Sequence, residues 1–149
     1  MDEQGKDGRR LAAAGASLVL RLSVGVLFFA AGMGKFFSEP GAAGVSKGIA
    51  AQFTDTWLPS FLVIPYAYVL PYAEVILGAL LVVGLFTRTS LFVAGLLLVS
   101  LAFGQMVLQS HAVAGTNFNY ALIAAVALWF ASMDNRISVD YLAGLKKKK

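Results

Sequence analysis

Two ionisable residues lie deep inside apolar segments of this 149-residue sequence, where a charge needs a partner. Arg21 lies ten residues after Leu11, the start of the first apolar segment, which corresponds to about 15 Å of helix. Glu74 lies twelve residues before Phe86, the end of the second segment, which corresponds to about 18 Å from the same side. Because an unpaired charge inside a membrane is costly, their nearly equal depth predicts an ion pair between antiparallel helices.

The predicted pair of Arg21 and Glu74 has a structural and a functional interpretation. As a structural element, it would fix the register of two neighbouring helices. As a functional element, it would bind a proton or a ligand, because carboxylates within membranes often belong to functional sites. The sequence leaves both interpretations open.

A second group of polar residues follows the far ends of the apolar segments, and we expect it at the mouth of a helix bundle. Its members are Lys35, Gln105, Gln109, His111, Asn117, Asn119 and Tyr120. Hydrogen-bond donors beside an apolar groove suit a quinone headgroup, whose carbonyls accept hydrogen bonds. Alternatively, Lys35 extends its alkyl chain to the membrane surface and the amides lie in solvated loops.

The residue types that are missing from the sequence exclude several kinds of chemistry. There is no cysteine, which excludes disulfides, thiolate metal sites and a cysteine nucleophile. A single histidine, His111, disfavours haem ligation and multi-histidine metal sites within this chain. We therefore expect no metal site and no intrinsic cofactor, so a redox role would require a quinone or a partner subunit.

The composition is that of an integral membrane protein. Hydrophobic residues make up 58% of the chain and charged residues 13%, and the mean hydropathy is +0.75. Soluble domains contain about half apolar and about a quarter charged residues. The net charge of +4 arises partly from the terminal run Lys146–Lys149, and cations beside apolar segments suit phospholipid headgroups better than nucleic acid.

The apolar segments predict an all-α membrane protein, an antiparallel bundle of four transmembrane helices. A span needs about 20 predominantly apolar residues, and four segments approach or exceed that length. The spans cover about residues 11–36, 61–86, 90–109 and 115–133 of a transmembrane domain at 11–140, with a polar tail at 1–10 and a basic tail at 141–149. The connector between the first two spans suits a loop or a short interfacial helix.

The distribution of cations predicts the orientation of the bundle. With four spans, both termini and the turn at Arg88 share one side of the membrane. Nine of the twelve cations lie on that side, namely Lys6, Arg9, Arg10, Arg88, Arg136 and Lys146–Lys149. Because cytoplasmic loops carry an excess of Lys and Arg, we expect both termini in the cytoplasm.

Three sequence patterns together resemble the DoxX/DoxD-like family of small four-helix membrane proteins. The first is RLSVGVLFFAAGMGKF, from Arg21 to Phe36, and the second is EVILGALLVVGLFTRT, from Glu74 to Thr89. The third is the closing segment RISVD, which contains Ser138 and Asp140. The resemblance extends over nearly the whole chain, from the first span to Asp140, and its glycine-containing patterns are moderately specific.

The resemblance implies a multi-pass protein of a bacterial or archaeal cytoplasmic membrane. The DoxD branch is associated with thiosulfate:quinone oxidoreductase, where it pairs with a second subunit, and DoxX-like proteins are linked to oxidative-stress membrane complexes. We therefore expect a redox-linked subunit that interacts with the quinone pool, with other membrane or redox subunits or a second copy as partners. If it is enzymatic, it is a quinone-linked oxidoreductase subunit.

A non-enzymatic scaffold or assembly subunit of a larger membrane complex is the alternative. In that case Arg21 and Glu74 would be structural, and their substitution would lower abundance rather than turnover. A small-solute transporter is disfavoured, because the four spans show neither an inverted repeat nor a pair of broken helices.

Overall fold

Five helices make up the part of the chain that the computed structural model describes, residues 3–133 and 138–140. They are α1 (Glu3–Phe37), α2 (Gly41–Gln52), α3 (Ser60–Val83), α4 (Thr87–Val107) and α5 (His111–Met133). No strand occurs among these described residues. Four helices, α1 from Asp7 onward together with α3, α4 and α5, are long and apolar enough to cross a membrane. The predicted four-span, all-α fold is confirmed.

The observed helices differ from the predicted spans in where α1 and α5 begin. Residues 3–10, predicted as a polar tail, are helical and continuous with α1. The connector contains α2, in agreement with the short helix that was one of its two predicted forms. Helix α5 begins at His111 rather than near residue 115, and it therefore includes His111 as well as the predicted Asn117 and Asn119. The predicted basic tail at 141–149 lies outside the described residues.

Different segments lie at the two ends of the bundle, which are called the Arg88 end and the α2 end. At the Arg88 end lie the α3–α4 turn, the last turn of α5 and the residues of α1 around Arg21. At the α2 end lie α2, the connector 53–59 and the α4–α5 turn. The cytoplasmic orientation of the Arg88 end remains a prediction.

Close packing joins α1 to α3 through small residues. A Cβ atom added at Gly78 of α3 would lie 2.6 Å from Phe29 Cα of α1, and one added at Gly32 would lie 2.8 Å from the Val75 backbone nitrogen. Real Cβ atoms do not approach so closely, so both positions require glycine. Inside lipid, helices associate through van der Waals packing and not through the expulsion of water. The close approach of the α1 and α3 backbones provides this packing.

The interior of the bundle is built by α1, α3, α4 and α5 together. Its buried apolar residues are Val24, Phe28, Leu81, Leu91, Ala94, Leu98, Ala124, Ala127 and Ala131. In the resulting arrangement, α1 packs between α3 and α5, and α4 packs mainly on α5. Helices α3 and α4 contact each other much less extensively than α3 contacts α1 or α4 contacts α5. This limited contact leaves a seam between α3 and α4.

Candidate functional site

Glu74 forms its ion pair with Lys35, not with Arg21. The Lys35 Nζ atom lies in direct contact with Glu74 Oε2, and the pair is the one salt bridge found among the described residues. The Glu74 side chain is 5% exposed and that of Lys35 is 21% exposed. The predicted Arg21–Glu74 pair is therefore wrong in its cation, although the expectation that Glu74 needs a partner is met.

The register of α1 against α3 explains this correction. Gly25 faces Leu81, and Gly32 faces Glu74 and Val75. Arg21 precedes Gly32 by eleven residues, which places it about 16 Å further along α1, whereas Lys35 follows by less than one turn. Equal depth was inferred from the ends of apolar segments. Because α1 continues far past the end of α3 at the Arg88 end, that inference placed Arg21 at the level of the wrong residue.

Arg21 packs against the turn between α3 and α4. Its guanidinium lies where a Cβ at Gly84 would be, and the side chain is 4% exposed. Gly84 ends α3 with φ of 82°, and the Gly84 and Leu85 N–H groups both donate to the Leu80 carbonyl. Only glycine adopts this left-handed conformation readily. The turn requires glycine both for its backbone and for the space that Arg21 occupies.

Asp140 closes the same turn from a distant part of the sequence. Its carboxylate accepts hydrogen bonds from the backbone N–H groups of Phe86 and Thr87, each at 2.7 Å. These groups lie at the start of α4, where the helix leaves N–H groups without internal partners and favours negative charge. The Asp140 carboxylate also interacts electrostatically with Arg21. The closing motif of the sequence thus caps α4 and offsets a buried cation.

Arg88 stabilises the end of α5. It donates from Nε to the Ala131 carbonyl and from Nη2 to the Ser132 carbonyl, each at 3.3 Å. Cations bound to the last carbonyls of a helix complement the negative end of its dipole. Together, Arg21, Gly84, Asp140 and Arg88 form a polar clamp, the name used below for these four residues.

The connector occupies the seam between α3 and α4 at the α2 end. A Cβ added at Gly104 of α4 would lie 3.3 Å from the Phe53 ring. The Trp57 ring meets that of Phe103 edge to face, with 6.1 Å between the ring centroids. Aromatic side chains of the connector therefore separate the two spans where they would otherwise pack directly.

A cavity of about 250 Å³ remains in this seam. Its walls come from α2 and the connector, from α3 and from α4. They are predominantly apolar, and three lining residues are polar: Tyr66, Ser100 and Gln105. This seam cavity, as it is called below, has the composition of a ligand site, since such sites combine apolar walls with a few positioned polar groups.

The polar groups of the seam cavity differ in how far they are already bonded. The Tyr66 and Ser100 hydroxyls are 2.7 Å apart, and the Ser100 hydroxyl donates to the Leu97 carbonyl at 2.7 Å. Because a serine has one hydroxyl proton, Tyr66 is the donor when Ser100 donates to Leu97. The Gln105 side-chain amide has no hydrogen bond to any residue that the structure describes. Its two donors and its acceptor are available to a ligand.

Of the seven residues predicted to bind a ligand, Gln105 alone lines the seam cavity. Lys35 pairs with Glu74, and Gln109 donates to the Met106 carbonyl at 3.5 Å. The remaining members lie on α5, with His111 and Asn119 exposed and Asn117 and Tyr120 partly buried.

Tyr66 and Ser100 were missed by the sequence-based prediction. Each carries a hydroxyl within an apolar span, which is the one sequence signal that could have marked it as a candidate. The proximity of the two arises from the crossing of α3 and α4, which no local pattern indicates.

The fold and the seam cavity define a small four-span membrane protein with an apolar cavity beside its third and fourth helices. A model of the DoxX family matches residues 16–109 of the chain. Because the match includes more than half of the chain, this protein belongs to the DoxX family. The matched region contains α2, α3, α4 and most of α1, and it ends before α5 and Asp140. No curated protein and no solved structure shows significant similarity to the chain.

Proposed function

We propose that this DoxX-family protein is a redox-linked membrane subunit that binds a quinone in the seam cavity. The observation that carries the proposal is the unbonded Gln105 amide in an apolar cavity inside a membrane-spanning bundle. A quinone combines the two properties that this environment requires, namely carbonyls that accept hydrogen bonds and a ring and tail that prefer apolar walls.

The residues of the cavity fit both redox forms of such a ligand. The Gln105 side-chain nitrogen would donate to a carbonyl of the oxidised form. In the reduced form, the hydroxyl would donate instead to the Gln105 amide oxygen or to the Tyr66 oxygen, which retains a lone pair while its proton is held by Ser100. One set of side chains can therefore bind either form without rearrangement of the backbone.

Electrons in this proposal come from a partner subunit. The chain has no cysteine and one histidine, and no group of three metal-ligating side chains occurs among the described residues. The partner would lie in or beside a bacterial or archaeal cytoplasmic membrane, with the Arg88 end of this protein facing the cytoplasm. Thiosulfate:quinone oxidoreductase and oxidative-stress complexes are the proposed types of assembly.

Quinone binding by the purified chain in nanodiscs tests the cavity directly. We expect Gln105→Leu to weaken binding about ten-fold, because a hydrogen bond in an apolar site contributes about 1.4 kcal/mol. Asn119→Leu is the matched control, since it also replaces a side-chain amide by an apolar group. Asn119 lies on α5, outside the cavity. Equal binding by all three proteins would contradict the proposal.

The redox role needs a second experiment with the native partners. The chain is isolated in mild detergent together with its bound proteins, and quinone reduction by this complex is measured. We expect Gln105→Leu to lower turnover while the same proteins remain bound. If the variant leaves turnover unchanged and the complex is lost only when the polar clamp is disrupted, the protein is a non-enzymatic scaffold.

A further inference from the structure

A second cavity lies between α2 and α3, next to the seam cavity. Its volume is about 300 Å³. The two cavities share Phe53, Leu58 and Val63 as a common wall, but their polar residues differ. We call the second one the Lys47 pocket, after the cation that lines it.

The Lys47 pocket offers three donors that are not used within the protein. Lys47, Ser60 and Tyr68 all line it, and none of them makes an ion pair or hydrogen bond with any residue that the structure describes. A fourth lining group, the Thr54 hydroxyl, donates to the Ala51 carbonyl at 2.8 Å and keeps lone pairs available. Donors with one positive charge and no lining carboxylate are the chemistry of an anion site.

The acidic residues near the pocket do not neutralise Lys47. Glu39 and Asp55 belong to the connecting segments at the α2 end, but neither lines the pocket. The pair of Lys35 and Glu74 is the one salt bridge among the described residues, so neither acid is within ion-pair distance of Lys47. The positive charge is therefore available to a ligand.

The position of the pocket matches the headgroup level of a membrane. It includes Ser60, the first residue of the α3 span. The 24 residues of α3 extend about 36 Å, somewhat more than a hydrocarbon core of about 30 Å. An α3 helix that is centred and upright in the membrane would have its first turn at the level of the lipid phosphate groups.

An apolar stripe on α3 leads from the pocket toward the middle of the span. Phe61, Ile64, Tyr68 and Tyr72 are spaced by three or four residues and therefore lie on one face of the helix. Their exposed fractions are 73%, 48%, 37% and 55%. This face offers apolar contact to acyl chains of a molecule whose headgroup is held beside Lys47.

We propose that the Lys47 pocket binds the headgroup of an anionic membrane phospholipid, with its acyl chains lying along the Phe61–Tyr72 stripe. The unused donors, the uncompensated charge, the headgroup depth and the continuous apolar face point to the same occupant. This proposal is independent of quinone binding, because Lys47 does not line the seam cavity.

Native mass spectrometry of the full chain in detergent tests the proposal with phosphatidylglycerol and phosphatidylcholine as probes. We expect tighter retention of phosphatidylglycerol, and Lys47→Ala should weaken this retention about five-fold, the effect of one cation on an anionic lipid. Lys47→Arg should restore it, since the charge is kept. Arg9→Ala is the matched control, because it removes an exposed cation at the Arg88 end.

Two further probes distinguish the source of the anion. Glycerophosphoglycerol, the headgroup without acyl chains, and inorganic phosphate should each fail to displace the bound lipid at equal concentration. Displacement by either one would identify a site for a soluble anion and overturn the lipid assignment. Equal retention of both phospholipids, or an equal loss with Arg9→Ala and Lys47→Ala, would also overturn it. Tyr68→Phe, which removes a donor without creating space, should give a smaller loss in the same direction.

Discussion

The two ends of the bundle differ in whether their polar side chains are bonded within the protein or face a cavity. At the Arg88 end, Asp140 binds the first N–H groups of α4 and Arg88 binds the last carbonyls of α5. At the α2 end, Gln105 and Lys47 line cavities without a partner among the described residues. Polar groups that bind one another hold helices together, whereas polar groups that face a cavity are available to ligands. The difference separates the structural part of the protein from the part proposed to bind.

The separation is not complete at the Arg88 end. Two buried atoms there, Arg21 Nε and Thr87 Oγ1, have no hydrogen-bond partner among the residues that the structure describes. An unpartnered buried donor costs about 1–3 kcal/mol, so a buried guanidinium with an unused Nε–H group needs a negative charge nearby. The negative charge of Asp140 is then important to Arg21 as well as to α4.

The largest effect in this comparison is expected from Asp140→Ala. This variant removes two charge-assisted hydrogen bonds and leaves Arg21 without its nearby negative charge, so the free energy of unfolding should fall by about 3 kcal/mol. Reversible unfolding in detergent micelles measures the change. Asp55→Ala removes an exposed carboxylate at the α2 end and should leave stability unaltered. An Asp140→Ala protein as stable as the wild type would show that the clamp is dispensable.

A smaller effect is expected from the pair that joins α1 to α3. Glu74→Gln leaves the Lys35 cation without its partner in a mostly buried position, and stability should fall by about 2 kcal/mol. Lys35→Met combined with Glu74→Leu should recover most of that loss, since neither charge then remains. Unfolding of this double variant and of the two single variants Lys35→Met and Glu74→Leu forms a double-mutant cycle. Additive effects would mean that the two side chains do not interact.

The smallest effect is expected from Tyr66→Phe, which removes the hydroxyl that bonds to Ser100. Stability should fall by about 0.6 kcal/mol, the mean measured for hydrogen bonds between transmembrane helices. Quinone affinity should change less than with Gln105→Leu, because the Tyr66 proton is already held by Ser100. An affinity loss larger than that of Gln105→Leu would make Tyr66, rather than Gln105, the principal donor to the ligand.

The four spans could be predicted from the sequence because a membrane imposes length and apolar composition on every crossing helix. The same constraint says little about where one helix begins relative to another. Residues 3–10 are polar yet continue α1, so the level of Arg21 could not be derived from the apolar boundary at Leu11. That one displacement assigned Glu74 to the wrong cation.

The candidate site was only partly predictable, for a related reason. Gln105 was identified because an amide near the end of an apolar span is unusual. Tyr66 and Ser100 meet across 34 residues of sequence, and the Phe53 ring that helps to separate α3 from α4 comes from a third segment. Side chains that share a helix face can be inferred from spacing, but those that share a cavity depend on how three elements are arranged.

The cap that Asp140 provides can form only late in synthesis, because Asp140 follows all four spans in the chain. The two N–H groups that it binds belong to residues 54 and 53 positions earlier in the chain. At a synthesis rate of about 5–20 residues per second, the start of α4 would be synthesised roughly 3–10 s before its cap. During that interval the start of α4 depends on water or lipid headgroups for its hydrogen bonds. A nascent chain that stops before Asp140 would retain every transmembrane span and still lack the cap on the first N–H groups of α4.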